Sequence, residues 1–272
     1  MGSSQQLKLG VILRLKQKAR KWAQWALSTS RRGSPSFMNE ADAGGSYYPI
    51  VTSCQIPQLG FLLSYFLGDR DAGEFVEVGA FDGLTYSNTY GLAAKGWRGI
   101  YIEPQPEYAD ACRRNHRGHD VIVCQQAASA PEQGFLTLKL AGPLTTANNS
   151  LAGEYSRVDW ASKNLTGCEL KVAASTLDEL LEDYGVQAEF DVLVIDVEGG
   201  EKDVLSGFSL NRYQPGMIII ELVDTHPHLN STKTDDYLSR CLIESAGYRL
   251  MFKDCINSVF IREDLVVKRL MT

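Results

Sequence analysis

Short apolar runs that end at a glycine or an acidic residue recur along the chain from about residue 50. The runs are EFVEVG, GIYIEP, DVIVCQ, FDVLVID and GMIIIEL, and unbroken apolar runs of this length are typical of strands buried on both faces of a sheet. Helices are predicted in the segments between several of them: LTYSNTYGLAAKG, EYADACRRNH, TLDELLEDYG and EKDVLSGF. Strands that alternate with helices predict an α/β domain built on a mostly parallel, Rossmann-like sheet.

The two ends of this domain have their own patterns. Before the first strand, IPQLGFLLSYFLGD predicts a helix that ends near Gly68. After the fifth strand, TDDYLSRCLIESAG predicts a helix, and YRLMFKD and INSVFIRED predict two strands joined by a short connection. An antiparallel hairpin at the edge of a mostly parallel sheet is a known variation on this plan.

The first 49 residues predict a basic helical extension and a linker, so that the domain itself spans 50–272. LKLGVILRLKQKARKWAQWALS mixes apolar and basic residues at helical spacing, and the Ser- and Gly-rich stretches STSRRGSPSF and NEADAGGS follow it. Charges interrupt the apolar stretch, which argues against a signal peptide. Two interpretations stay open: an amphipathic helix that contacts an anionic membrane or a partner, and a solvated helix that caps the domain.

Charge is divided unevenly along the chain. Residues 1–39 contain eight basic and no acidic residues, so the net charge of −6 leaves the remainder at −14. An acidic body disfavours nucleic-acid binding and is compatible with a cationic cofactor. Six scattered cysteines without a C-x-x-C pair are typical of reduced thiols in a cytoplasmic protein, and no apolar run is long enough to predict a transmembrane helix.

The segment Glu77–Gly83 carries the first chemical signal. It places G-x-x-x-G directly after the first strand, where glycines let the backbone approach a nucleotide-like ligand. The dinucleotide fingerprint G-x-G-x-x-G is absent, and the acidic residues Glu77 and Asp82 flank the turn. A pyrophosphate disfavours adjacent anions, so the turn favours S-adenosylmethionine, which has an ammonium group and no phosphate, over a nicotinamide nucleotide.

Carboxylates end three further strands. Glu103 ends the second strand and can accept hydrogen bonds from both ribose hydroxyls; the alternative is a solvated acid before a proline turn. Asp196 and Glu221 end the fourth and fifth strands, and the topology brings both to one sheet edge.

Acidic and histidine residues near these two strand ends suggest a metal or a base. Asp196, Glu198 and Glu221 are candidate ligands of a hard cation such as Mg²⁺. His226, beside Asp224 and His228, is a candidate base that removes the acceptor's proton. The alternative for Glu198 and Glu201 is that they cap a helix start.

Several of these motifs resemble the FkbM-like family of S-adenosylmethionine-dependent methyltransferases. The resemblance runs in order from about Cys54 to Asp264 and depends on the glycine turn followed by Ser87-Asn88-Thr89, the Glu103-Pro104 pair and the I-D-V-E-G-x-E block. It implies a class I methyltransferase fold with seven strands, the last antiparallel. It also implies methyl transfer to a hydroxyl of a sugar, glycan or secondary metabolite. One departure is Val194, where family members often carry lysine.

The resemblance also implies where the cofactor lies. The glycine turn lines its methionine part, Glu103 holds the ribose, and Gln126 and Ala127 lie near the adenine. Asp196 and Glu221 face the acceptor. The full set of predicted cofactor contacts is Glu77, Gly79, Ala80, Asp82, Gly83, Asn88, Glu103, Pro104, Gln126, Ala127 and Asp196.

The expected mechanism is in-line attack of an acceptor oxygen on the sulfonium methyl group, assisted by Asp196, Glu221, His226 or a metal. Residues 141–170 are predicted to be a lid that selects the acceptor, with Tyr155 and Trp160 able to stack on a sugar face; a disordered excursion is the alternative. Two other function classes stay open, a non-catalytic scaffold with this fold and a nucleotide-dependent oxidoreductase.

Overall fold

A computed structural model of the protein describes Met38, residues 46–227 and residues 229–271. The predicted basic helix and most of its linker lie outside the described residues, as do His228 and the side chain of Trp160. Within the described residues, no helix is both long enough and apolar enough to cross a membrane. The six cysteines, all of them described, form no disulfide.

The described part of the chain forms ten strands and nine helices. The strands are β1 Glu74–Val78, β2 Arg98–Ile102, β3 Val121–Cys124, β4 Ala127–Ala128, β5 Phe135–Lys139, β6 Glu169–Ser175, β7 Val192–Ile195, β8 Met217–Glu221, β9 Tyr248–Lys253 and β10 Asn257–Arg262. The helices are α1 Leu59–Leu67, α2 Tyr90–Ala94, α3 Pro106–Asn115, α4 Asn149–Tyr155, α5 Asp159–Ser162, α6 Leu177–Asp183, α7 Glu201–Ser206, α8 Lys233–Ser245 and α9 Glu263–Leu270.

Seven strands form the main sheet in the order β3-β2-β1-β7-β8-β10-β9. All neighbours are parallel except β10, which runs antiparallel to both β8 and β9. This arrangement confirms the predicted α/β fold with a seven-stranded, mostly parallel sheet and an antiparallel C-terminal strand. The five apolar runs identified in the sequence are the five strands β1, β2, β3, β7 and β8.

The core lies in two layers, one on each face of this sheet. Alternate residues of each strand point to opposite faces: in β1, Phe75 packs into one hydrophobic cluster, and Val76 and Val78 pack into the other. Both faces of β1 are buried throughout. Such double burial explains why the strand sequences are continuous apolar runs rather than alternating ones.

A second, three-stranded sheet has the order β4-β6-β5, and the sequence analysis did not predict it. Residues of β5 and β6 are largely exposed or half-buried, so their sequences lack the apolar run that identified the main strands. The segment LTYSNTYGLAAKG was expected to be helical throughout, but only Tyr90–Ala94 is a helix. The last strand also ends earlier than INSVFIRED suggested, because α9 begins at Glu263.

Candidate active site

A cavity opens at the carboxyl edge of the main sheet, where β1, β2 and β7 end. It contains about 750 Å³ of empty space, a figure that includes its open mouth. The second sheet and the segment after β5 close one side. The residues that line it are Val78, Gly79, Phe81, Ile102, Glu103, Pro104, Gln105, Ala127, Ala128, Ser129, Leu136, Leu138, Gly142, Pro143, Thr145, Ala147, Asp196, Val197, Glu198, Gly200 and Asp203.

The glycine turn after β1 is held against the ends of two other strands. Gly79 has φ +82°, and a Cβ atom built on it would lie 1.8 Å from the carbonyl oxygen of Asp196. Its amide N–H donates to the carbonyl oxygen of Ile102 at 3.0 Å. Only glycine combines this backbone conformation with so close an approach, so Gly79 is what allows the carboxyl ends of β1, β2 and β7 to meet at the cavity.

A buried histidine supports the far side of the same turn. Nε2 of His116 lies 2.7 Å from the carbonyl oxygen of Gly83, and a carbonyl oxygen only accepts, so Nε2 carries the hydrogen. Burial lowers the pKa of His116 to about 4, which keeps the ring neutral at physiological pH. Gly83, with φ +70°, has no room for a Cβ atom, which would meet Cys112 Sγ at 2.5 Å.

Glu103 lines the cavity with a carboxylate that the backbone orients. Its Oε2 accepts the N–H of Phe81 at 2.9 Å and its Oε1 accepts the N–H of Gln105 at 2.8 Å. The residue is only 4% exposed, and burial raises the pKa of its carboxyl group to about 7. Each carboxylate oxygen has a second lone pair, so Glu103 can accept two further hydrogen bonds from a ligand in the cavity.

Glu77 does not line the cavity but lies buried behind the turn. It accepts hydrogen bonds from the hydroxyl groups of Thr89 and of Ser87, the latter at 3.0 Å, and burial raises its pKa to about 7. These contacts hold the segment between the turn and α2 in an irregular conformation, which explains why the predicted helix is confined to α2. A direct contact of Glu77 with the cofactor stays a prediction.

The eleven predicted cofactor contacts divide into two groups. Those that line the cavity are Gly79, Glu103, Pro104, Ala127 and Asp196. Those that do not are Glu77, Ala80, Asp82, Gly83, Asn88 and Gln126. Asp82 shows what such a residue does instead: its carboxylate accepts the amide N–H groups of Leu84 and Thr85 at 2.9 and 2.6 Å and so shapes the turn.

The charge of the cavity wall has one sign. Glu103, Asp196, Glu198 and Asp203 contribute carboxylates, and no lysine, arginine or histidine is among the described residues that line the cavity. A wall of this kind attracts a cation and repels a phosphate. It therefore fits a sulfonium and ammonium ligand and disfavours a dinucleotide.

Three carboxylates lie close together, and those of Asp196 and Glu198 line this cavity. Asp196, Glu198 and Glu221 each offer an oxygen atom, and the three atoms lie within 4.8 Å of one another. The Tyr155 hydroxyl donates a hydrogen bond to Glu198 Oε2. Glu198 itself has φ +55°, an uncommon conformation for a residue with a side chain. The structure thus brings together the three residues that the sequence analysis proposed as metal ligands.

Glu201 organises the loop that carries two of these carboxylates. Its Oε1 accepts the N–H groups of Val197 and Gly199 at 3.1 and 3.2 Å. Burial and the nearby Asp236 raise its pKa to about 8. Glu201 therefore fixes the turn between β7 and α7, in line with the helix-start alternative weighed for it.

Asp224 and His226 follow β8 and hold the loop there in place. The buried Asp224 forms ion pairs with Lys253 at 2.7 Å and Arg240 at 3.1 Å. Nδ1 of His226 accepts the N–H of Leu229 at 2.9 Å. Neither Asp224 nor His226 lines the cavity. The use of His226 as a base stays a prediction.

The predicted lid segment folds over the acidic cluster. Thr146 Oγ1 donates to the carbonyl oxygen of Glu198 at 2.6 Å, and Asn148 Nδ2 donates to that of Gly199 at 3.0 Å. Farther along, the Glu154 carboxylate accepts the N–H groups of Asn230 and Ser231. The segment 146–154 therefore bridges the loops after β7 and β8.

Sequence reasoning missed the wall that comes from the second sheet and the chain around it. Leu136 and Leu138 of β5, together with Ser129 and Thr145, line the cavity. The residues next to them in the chain are mostly polar and are exposed or half-buried in the structure. The only available signal was the position of FLTLKL directly before the predicted lid.

This sheet topology, with a glycine turn after the first strand and a carboxylate after the second, defines a class of α/β proteins that hold a cofactor at the carboxyl edge of the sheet. The family described as "Methyltransferase FkbM domain" matches residues 77–250, which is more than half of the chain. The chain belongs to the FkbM family of S-adenosylmethionine-dependent methyltransferases. No curated protein matches it.

Three solved structures with a similar chain trace are distant from this protein in sequence. An O-methyltransferase from Bacillus cereus in complex with SAH is 16% identical, with 75% of this chain and 78% of that chain covered and a TM-score of 0.43. An SAH-bound methyltransferase from Podospora anserina is 13% identical, with 76% and 78% covered and a TM-score of 0.43. The O-methyltransferase TomG from Streptomyces achromogenes, in complex with SAM, is 14% identical, with 74% and 76% covered and a TM-score of 0.41. Likeness at this level carries no argument about substrate.

Proposed function

We propose that this protein transfers the methyl group of S-adenosylmethionine to a hydroxyl oxygen of a small-molecule or glycan acceptor. One observation carries the proposal. Gly79, Glu103 and Asp196 line one cavity, and Asp196 also belongs to the carboxylate cluster with Glu198 and Glu221. A donor bound along this cavity has its reactive end beside groups that can accept a proton.

The cavity supports one orientation of the cofactor. The ribose hydroxyls donate to Glu103, whose carboxylate is oriented by two backbone amides. The adenine lies against the apolar surface of Ala127 and Leu138, and the methionine part lies along Gly79 toward Asp196. The positive charges of the donor then face a wall that has carboxylates and no basic residue. In this arrangement Glu77 and Asp82 act through the turn that they support.

The transfer is a displacement at carbon. The acceptor oxygen attacks the methyl carbon, the carbon–sulfur bond breaks with its electron pair left on sulfur, and the hydroxyl proton moves to a carboxylate. Asp196 and Glu221 are our candidates for the base. A neutral His226 is less suited, because Nδ1 accepts from Leu229 and Nε2 then carries the hydrogen. Alignment of donor and acceptor contributes most of the acceleration.

The acidic cluster is also a candidate binding site for a divalent cation. The cluster fits a hard cation such as Mg²⁺, because three carboxylate oxygens lie within 4.8 Å of one another. When bound, such a cation would lower the pKa of a coordinated hydroxyl group. We propose Asp196, Glu198 and Glu221 as its ligands. Activity measured after EDTA treatment and after addition of Mg²⁺ tests this role, and equal rates would contradict it.

Calorimetric titration with S-adenosylmethionine and with NADH tests the cofactor assignment. We expect micromolar binding of S-adenosylmethionine alone. Glu103→Gln should weaken it by roughly 10- to 100-fold, since a hydrogen bond to a charged group contributes ~1.5–3 kcal/mol. The matched control is Glu107→Gln in the first turn of α3. Failure to bind S-adenosylmethionine would refute the proposal.

Binding without turnover would instead favour the non-catalytic alternative. A screen of hydroxylated acceptors, each matched with the corresponding amine, tests which atom is methylated. We expect release of S-adenosylhomocysteine with the alcohols. Methylation of the amines only would contradict the assignment to oxygen.

A further inference from the structure

Two helices that take no part in the candidate site expose large apolar side chains. They are α1 and α9, which pack against each other. On α1, Phe61 is 47% and Tyr65 41% exposed, and their rings stack with centroids 5.6 Å apart. On α9, Leu270 is 76% exposed, and the guanidinium group of Arg269 beside it lies 5.7 Å from the ring centroid of Tyr65. We call the exposed apolar residues of the two helices the α1–α9 face: Phe61, Tyr65, Val267, Leu270 and Met271.

The chain enters the domain along α1. The backbone N–H of Met38 donates to the carbonyl oxygen of Ile50 at 2.7 Å. Ile50 packs against α1 so closely that a Cβ atom built on Gly60 would lie 3.1 Å from its Cγ1 atom. The N–H of Tyr47 donates to Oγ of Ser64 at 3.0 Å. The chain that precedes Met38 is therefore joined to the domain at the helix that carries half of the α1–α9 face.

The sequence that precedes this entry point is basic and apolar. Residues 1–39 contain eight lysines and arginines and no acidic residue. The apolar residues of LKLGVILRLKQKARKWAQWALS include Trp22 and Trp25. Lysines and arginines mixed with tryptophan and leucine are typical of segments that bind anionic lipid.

The charges around the α1–α9 face favour the same ligand. Helix α1 has no charged residue in LGFLLSYFL, and the two acidic residues in the first turn of α9 form ion pairs with arginines. Lys268 and Arg269 end α9, and Nζ of Lys95 lies 3.4 Å from the ring centroid of Tyr47. Asp69 and Asp71 follow α1. Since residues 40–272 together carry −14, an anionic surface repels the domain unless a face without excess negative charge approaches it.

We propose that the α1–α9 face docks on an anionic lipid membrane. The aromatic and leucine side chains enter the boundary between head groups and acyl chains, where amphipathic side chains are favoured. Lys268, Arg269 and the basic residues before Met38 face the lipid phosphates and carboxylates. This inference does not depend on the proposed methyl transfer, because it uses no residue of the cavity.

Like charge argues against two other occupants of the face. A second copy would bring another basic segment and another Lys268 and Arg269 to the same surface, and these groups repel. The basic segment of the same chain would also meet basic groups there. An anionic membrane is attracted by all of these groups at once.

Flotation of the full-length protein with lipid vesicles tests the proposal. One set of vesicles is phosphatidylcholine, and the other is phosphatidylcholine and phosphatidylserine in equal parts. We expect the partition coefficient to be roughly tenfold higher or more with phosphatidylserine, because each basic residue near the surface adds to the attraction. Added NaCl should weaken binding, since salt screens the attraction.

Two matched double variants locate the lipid contact. Tyr65→Ser with Leu270→Ser removes two side chains from the α1–α9 face and should lower the partition coefficient by roughly tenfold or more, because membrane affinity scales with buried apolar area. Tyr237→Ser with Leu242→Ser makes the same changes on α8, where these residues are 51% and 46% exposed, and should bind as the unaltered protein does. Phe61→Ser replaces the first variant if its circular dichroism spectrum shows that it does not fold.

Four results would overturn the proposal. They are absence of binding to either set of vesicles, equal binding to both sets, equal loss of binding in the two double variants, and binding that persists when the α1–α9 side chains are removed. The last result would assign the lipid contact to the basic segment alone. A dimer in analytical ultracentrifugation that only the α1–α9 variant abolishes would identify a second copy as the occupant and would also overturn it.

Discussion

Replacement of Gly79 by alanine isolates the close approach between the ends of β1 and β7. Gly79 has φ +82°, and the added Cβ atom would lie 1.8 Å from the carbonyl oxygen of Asp196. Gly96 is a matched control, because its φ is +91° and a Cβ atom there meets nothing within 4 Å. Both variants lose the conformational freedom of glycine, and only Gly79→Ala also forces two strand ends apart.

The free energies of unfolding should differ accordingly. A left-handed backbone conformation costs an alanine ~1–2 kcal/mol, which is the whole effect expected for Gly96→Ala. Overpacking adds ~1–3 kcal/mol, so Gly79→Ala should lose ~2–5 kcal/mol of the 5–15 kcal/mol that is typical of a folded domain. Because Asp196 lines the cavity, affinity for S-adenosylmethionine should fall as well.

Urea denaturation followed by circular dichroism gives the two free energies, and calorimetry gives the affinities. The reasoning would be refuted if Gly79→Ala destabilised the protein no more than Gly96→Ala did and bound S-adenosylmethionine as the unaltered protein does. Loss of affinity in Gly96→Ala would also count against it, since that glycine lies outside the cavity wall.

Three further predictions address the site and its surroundings. Burial raises the pKa of Glu103 to about 7, and ribose hydroxyls bind its ionised form. Calorimetric affinity for S-adenosylmethionine should therefore rise between about pH 6 and pH 8, and an equally steep rise in Glu103→Gln would contradict this. Tyr155→Phe removes the hydroxyl that donates to Glu198 and should lower kcat/KM by roughly 10- to 100-fold with cofactor affinity unchanged; an unchanged rate would exclude this role. Asp224→Asn removes the buried charge that pairs with Arg240 and Lys253 and should cost ~3–5 kcal/mol in urea unfolding. Asp235→Asn, at an exposed ion pair, should cost at most about 1 kcal/mol, and equal losses would contradict the comparison.

The sequence predicted the main sheet well for a physical reason. Strands β1, β2, β7 and β8 are buried on both faces, so most of their residues are apolar, and the pattern is visible in each strand's own sequence. Most residues of β5 and β6 are exposed or half-buried. Their stability comes from pairing with each other, which no local pattern records.

A residue of the candidate site could be predicted from the sequence where its type and its position after a strand allowed only one role. Glu103 follows a buried strand, and the structure places its carboxylate in the cavity. Glu77, by contrast, lies inside β1, and its carboxylate is turned toward Ser87 and Thr89. The direction of a side chain behind a turn depends on which hydroxyl groups fold back toward it, and spacing alone does not give that.

The position of β10 in the sheet has a consequence for the order in which the chain can fold during synthesis. β10 lies between β8 and β9 and pairs antiparallel with both, although it follows both in the chain. When β9 leaves the ribosome it has no strand to pair with, and β8 still presents an open edge. We therefore expect the sheet of the ribosome-bound chain to stay incomplete, with β9 unpaired, until β10 has been synthesised. β10 then pairs with β8 and β9 in one step.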